Sequence, residues 1–179
     1  MEGTGKCAAA LLLAMALNCR RSDPEPDRDR ARPCGVCTAC RKIRSGVHPD
    51  VIQIQPVRSV IRIDRIRELI HAVSLKPYEG GCRVAIVTDA HCLNPEAGNA
   101  MLKILEEPPE QTLIVLTAFQ TSDLLPTIVS RCRHIRFHPI ARDRLARILV
   151  DRHRIAPERA AVLSAAAGGS LSRALAMSE

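Results

Sequence analysis

An α/β fold on a parallel sheet, with a cysteine-rich insertion near its start and a short all-helical segment at its end, is what this sequence predicts. Three observations carry that expectation. Apolar runs of strand length at 51–55, 83–88 and 112–117 alternate with helical periodicity, the order that βαβ units impose. Cys19, Cys34, Cys37 and Cys40 bracket a charged, Pro-rich stretch that has no apolar period. Beyond Pro139 only helical patterns continue.

Each element has its own reason. Residues 8–18 (AAALLLAMALN) hold Ala, Leu and Met with no β-branched side chain, which suits a buried helix. RRSDPEPDRDRARP, which follows, reads as a mobile loop. VIQIQ at 51–55 alternates apolar and polar residues, as a strand does. Ile63, Ile66, Leu69, Ile70 and Val73 recur at helical spacing, with Asp64 near the start. Lys76 to Gly81 is a Pro- and Gly-punctuated turn. RVAIVT at 83–88 is nearly continuous in apolar residues, as expected of a strand covered on both faces.

Asn94-Pro95 supplies an N-cap and a first-turn proline for a helix through Glu106, with Ala97, Ala100, Met101, Ile104 and Leu105 facing inward. Pro108-Pro109 stops it. A further buried strand is expected at 112–117, a short helical stretch near 122–130 and a fourth strand at 132–137. Helices are then expected at 141–153, 158–167 and 170–177, the last two parted by Gly168-Gly169.

Composition narrows the function classes. An apolar content of 46% over 179 residues excludes wholesale disorder. The net charge of +7 invites a nucleic-acid reading. Trp is absent, however, and Tyr78, Phe119 and Phe137 are the only aromatic residues, which argues against a base-stacking platform. Backbone-level contact with nucleic acid stays open, and sequence-specific reading is unsupported. The longest apolar run, Cys7 to Leu17, is too short to span a bilayer. Glu2 and the lack of an A-x-A site tell against a signal peptide. A cytoplasmic protein with no membrane partner is expected.

Two motifs carry chemistry. Gly3-Thr4-Gly5-Lys6 ahead of an apolar helix matches the end of a phosphate-binding loop, in which backbone N–H groups and a helix N-terminus hold phosphates. The pattern G-x-x-x-x-G-K-S/T asks for a hydroxyl where Cys7 stands, and a thiol is a poor ligand for Mg²⁺. An ordinary turn gives the same half-motif. The second motif, Cys34-x2-Cys37-x2-Cys40 with Cys19 upstream, offers four thiolates to one point. That is the set a closed structural Zn²⁺ site uses. An iron–sulfur cluster or free thiols are the alternatives. Cys7, Cys82, Cys92 and Cys132 stand apart and read as small core residues.

The succession of GTGKC, CGVCTACRKI, GVHPDVIQI, IRIDRIRELI, EGGCRVAIVTDAHCLNPEAGNAMLKILEEPPEQTLIVLTA and LLPTIVSRC closely resembles the clamp-loader subunits of bacterial DNA polymerase III. The delta-prime branch is the nearer fit and the gamma/tau branch its sibling. The resemblance covers essentially the whole chain. It implies an AAA+ module, with an α/β core over 1–139, a zinc knuckle inserted at 19–44 and a helical lid over 140–179. The strand ahead of the phosphate loop and a C-terminal collar are expected outside these residues, so truncation at both ends is expected.

The resemblance also assigns roles. Asp89 corresponds to the Walker B aspartate, Thr117 to the sensor-1 position and Arg173, in GGSLSRAL, to the sensor-2 arginine. Gly3, Gly5, Lys6 and Cys7 complete a vestigial nucleotide site, at which ATP and Mg²⁺ binding is doubtful. Ala90 follows Asp89 where active relatives carry Glu, so intrinsic hydrolysis is not expected. His91 lies at the wrong offset to replace that Glu. Arg131 of Ser130-Arg131-Cys132 is the expected arginine finger, acting in trans on ATP held by a neighbouring subunit.

The implied function is a non-hydrolysing stator. Its expected partners are the gamma/tau and delta subunits, the sliding clamp and, through the assembly, primer-template DNA. A gamma/tau-type motor is the first alternative and a zinc-knuckle nucleic-acid binder the second. DNA synthesis is not implied, because one Asp89 cannot build a two-metal polymerase site. A nucleotidyltransferase label would belong to the holoenzyme.

Overall fold

In chain order the elements are α1 (Lys6–Asn18), α2 (Thr38–Arg44), β1 (Val51–Ile54), α3 (Ile63–Ser74), β2 (Arg83–Val87), α4 (Pro95–Glu106), β3 (Thr112–Leu116), α5 (Pro126–Val129), α6 (Arg142–His153), α7 (Pro157–Ala166) and α8 (Leu171–Ala176). They come from a computed structural model that describes residues 3–20, 33–79 and 81–178. Residues 21–32 of the expected loop, and Gly80 of the expected turn, lie outside the described residues.

The described residues of 7–133 form one compact unit. Its three strands pair in parallel in the order β1-β2-β3, with Val51 opposite Val84 and Val84 opposite Leu113. Parallel neighbours need crossover connections, and α3 and α4 provide them. All five residues of the central strand β2 are buried, and its alternation sorts them between two cores. Ala85 and Val87 join Ile54, Ile66, Leu69, Val73, Ala97, Met101 and Ile104 beneath α3 and α4. Val84 and Ile86 join Ala10, Ala14, Met15, Cys40 and Ile43 beneath α1 and α2. The result is a sheet with helices on both faces.

Local signals fix the helix ends. The Asn94 side chain accepts from the Ala97 N–H at 3.0 Å, with Pro95 in the first turn of α4. Asp64 falls in the first turn of α3, but Arg62 occupies the cap position without a side-chain bond. Gly98 leaves room for the Leu125 side chain ahead of α5, whose Cδ1 a Cβ there would meet at 2.8 Å.

Residues 3–6 and 134–178 belong to a second compact unit. Its core comprises Leu145, Leu149, Ala160, Leu163, Ala167 and Ala174 from α6, α7 and α8. The Gly3 carbonyl accepts from the Leu171 N–H at 3.1 Å. Gly169, at φ +81°, permits the Ile140 N–H to reach its carbonyl at 2.9 Å, and a Cβ at that position would lie 2.9 Å from Ile140 backbone atoms. Among the described residues no helix is long and apolar enough to cross a membrane.

Four expectations need correction. Residues 132–137 form no strand: Ile135 is 77% exposed, and the sheet of the described residues ends at β3. Strand propensity without a partner does not make a strand. β3 is half-buried along its length, because it lies at an end of the three-strand order. α1 is buried on only one side; Leu12, Leu13 and Leu17 are exposed on the other. Cys7 is exposed and not a core residue. In addition, α2 forms inside the cysteine-rich insertion, where no helical period is long enough to read from the residues alone.

Candidate functional site

The four expected cysteine ligands converge. The Sγ atoms of Cys19, Cys34, Cys37 and Cys40 all lie within 4.8 Å of one another, and those of Cys34 and Cys40 are 4.0 Å apart. A tetrahedron with Zn–S near 2.3 Å has sulfur–sulfur edges of about 3.8 Å, so the donor set fits such an ion with little adjustment. Cys37 caps α2, its Sγ accepting from the Cys40 N–H at 3.4 Å. The Cys37 N–H in turn donates to Cys34 Sγ at 3.3 Å, and the Cys34 N–H to Cys19 Sγ at 3.4 Å.

These bonds sort the thiols. Burial opposes ionisation of Cys37, yet the backbone N–H groups of Cys40 and Arg20 and the adjoining thiols outweigh it and bring Cys37 down to about 6. Burial, with Cys37 and Cys19 alongside, pushes Cys40 up to about 12. Four thiolates crowded so closely need a cation to coexist, and the cluster is consistent with structural zinc.

A polar network fastens this knuckle to the sheet. Lys42, on α2, donates to Glu79 Oε1 at 2.6 Å, and Arg20 donates to the Glu79 carbonyl at 2.6 Å. Lys42 first, then His48 and Arg20, hold the Glu79 carboxyl below its ordinary value. His48 Nε2 lies 3.7 Å from Glu79 Oε2, while Nδ1 accepts from the Asp50 N–H at 3.1 Å. Asp50 is fully buried. It accepts from the Tyr78 and Glu79 N–H groups at 2.7 and 2.8 Å and from Arg83 Nη2 at 2.8 Å. Sequence reading missed this network. Only the strand register brings its members together: Asp50 precedes β1 and Arg83 opens β2, and Val51 pairs with Val84.

The expected nucleotide-site residues divide between the two units. In the α/β unit, Cys7 Sγ lies 3.9 Å from Thr117 Oγ1, which also accepts from the Asp89 N–H at 3.1 Å. Asp89 adopts φ +51°, a left-handed conformation that aspartate takes more readily than most non-glycine residues, just beyond β2. Ala90, next to it, is 1% exposed, and His91 is exposed in the 3₁₀ turn Ala90–Cys92. In the other unit Gly3 and Gly5 take φ of +73° and +90°, and Lys6 opens α1. Arg173 lies in α8, its N–H bonded to the Ser170 cap at 3.2 Å.

Arg131 follows α5, which packs against α4 through the buried Ile128. Its Nε donates to Glu106 Oε1 at 2.6 Å and its Nη2 pairs with the same oxygen. Nη1 donates to the Thr127 carbonyl at 2.9 Å, with Ser130 Oγ at 3.4 Å. Leu105, Glu106, Ser130 and Arg131 line an open cavity of about 460 Å³. The Glu106 partnership had no sequence signal, because the two residues are 25 positions apart.

Fold and cysteines define the class: a parallel α/β protein with a four-cysteine knuckle placed ahead of its sheet. A family profile described as "DNA polymerase III, delta subunit" matches residues 1–141. The chain belongs to the DNA polymerase III clamp-loader subunit family, which includes delta-prime, gamma and tau subunits.

The subunit tau of Escherichia coli K12 is 37% identical over 99% of this chain and 27% of its own length. The delta-prime subunit of Pseudomonas aeruginosa is 39% identical over 73% of this chain and 38% of its own. A crystal structure of a gamma subunit-related protein from Thermotoga maritima is 30% identical, with a TM-score of 0.52 over 68% of this chain and 47% of that one. The chain thus spans between a quarter and a half of the length of these relatives.

Proposed function

We propose that this chain works as a non-hydrolysing clamp-loader subunit of the delta-prime type in bacterial DNA replication. Its partners would be gamma/tau and delta subunits, the sliding clamp and, through the assembly, primer-template DNA. Arg131 would serve ATP bound by the neighbouring subunit, where its fork of N–H donors stabilises charge on the transferring phosphoryl group. Zn²⁺ held by Cys19, Cys34, Cys37 and Cys40 would be structural, since four protein ligands leave no open position for chemistry.

Ala90 is the observation that carries the non-hydrolysing reading. Where a carboxylate would orient the attacking water stands a methyl group that is 1% exposed, and general-base help is worth about 10²–10⁴ in rate. Cys7 beside Thr117 supports it, because a thiol is a weak substitute for the Mg²⁺-binding hydroxyl. The test is Arg131→Ala in a reconstituted loader. Assembly should survive, while turnover at the served site falls by about 10³-fold or more. Unchanged turnover would overturn the role.

A motor of the gamma/tau type is the second reading. The E. coli tau match runs over 99% of the chain, where the P. aeruginosa delta-prime match runs over 73%. ATP turnover by the subunit alone would establish it.

A further inference from the structure

We infer that Glu106 is a positioning residue for Arg131, presenting its guanidinium to a phosphate from behind; this rests on the trans-acting reading of Arg131. Donor counting gives the reason. A guanidinium has five N–H donors. Glu106 Oε1 takes the Nε donor and makes an ion-pair contact with Nη2, and the Thr127 carbonyl takes one donor from Nη1. The contact to Ser130 Oγ, at 3.4 Å, is long. What stays available is Nη2, which makes only the ion-pair contact with Glu106 among the described residues and whose N–H donors can meet a phosphate oxygen. Arg131 lines the open cavity of about 460 Å³.

The pairing braces the finger without sequestering it. The two side chains are 32% and 48% exposed, so the ion pair is solvent-screened and contributes little to folding. Its effect is geometric. Glu106 closes α4 and Thr127 sits in α5, so two packed helices fix the guanidinium plane from two sides. An unbraced arginine must lose rotamer freedom on meeting phosphate, and displacement by about 1 Å can cost 10²-fold in rate.

The experiment is a mutant set in the subunit reconstituted with its motor partners, reading steady-state ATPase kcat and KM separately. Glu106→Ala should lower kcat about 3- to 10-fold with KM for ATP within about twofold, the pattern of an interaction used only in the transition state. Glu106→Gln keeps an acceptor oxygen and should restore at least about half of kcat. In an Arg131→Ala background, Glu106→Ala should add nothing, as coupled residues do in a double-mutant cycle.

If Arg131→Ala abolishes turnover while Glu106→Ala leaves kcat unchanged or raised, the brace is wrong and the finger stands. The brace also fails if the Glu106→Ala loss persists in the Arg131→Ala background, because a general structural role would behave that way. If Arg131→Ala itself changes nothing, the finger reading falls and the brace with it. Should Glu106→Ala fail to assemble, Glu106→Gln alone decides: kcat below about a tenth of the parent overturns the proposal, because the acceptor geometry is kept.

Discussion

Asp50 shows what a single residue does for this fold. Burial would raise its carboxyl, but the Glu79 N–H, Arg83 and the Tyr78 N–H together hold it below its ordinary value of 3.8. A carboxyl lowered on folding stabilises the protein above its unfolded-state value and loses that contribution as pH falls through the folded one. Acid titration followed by circular dichroism should therefore show the parent losing stability below about pH 4, and Asp50→Asn should lack that part of the slope. Asp50→Ala should cost about 3–5 kcal/mol in denaturant melts, because it strands Arg83 in the interior. At this scale the sequence was legible where a residue acts on its own neighbours, as Asn94 does at its cap. It was silent where partners are distant, as with Asp50 and Arg83 or Arg131 and Glu106, since charge alone does not name its counterpart.

Among the elements, α2 depends most on chemistry beyond its own propensity. With only seven residues it is too short to persist alone. Cys37 caps it, Cys40 anchors it in the core, and Lys42 ties it to Glu79. Stripping metal with a strong chelator, or Cys40→Ser, should release it: hydrogen exchange should accelerate over Thr38–Arg44 while β2 amides stay protected. Equal protection with and without chelator would show that metal does not hold the helix. α4 is the contrasting case, specified by a cap, a proline and an inward stripe, and Asn94→Ala should cost only about 1 kcal/mol in thermal or urea melts. Long periodic helices and the buried β2 were readable because burial writes its period into the sequence. The expected strand at 132–137 was not, because a strand is a property of two segments and the alternation in one of them cannot report the other.

At the scale of the whole molecule, two compact units each carry their own core. Unfolding need not be one cooperative event. Leu149→Ala, at a fully buried position, should cost about 2–5 kcal/mol. Exchange protection should fall across α6, α7 and α8 while β2 and α4 keep theirs, and a uniform loss would mean the units unfold together. The composition forecast a folded protein without forecasting its boundaries, because both units draw on the same residue types. The exposed leucines of α1, Leu12, Leu13 and Leu17, have a consequence for the life of the chain in a cell. An uncovered apolar row is what chaperones and proteases use to recognise an unfinished product. Chains that keep this row exposed should be short-lived, so that turnover, more than synthesis, would set how many accumulate.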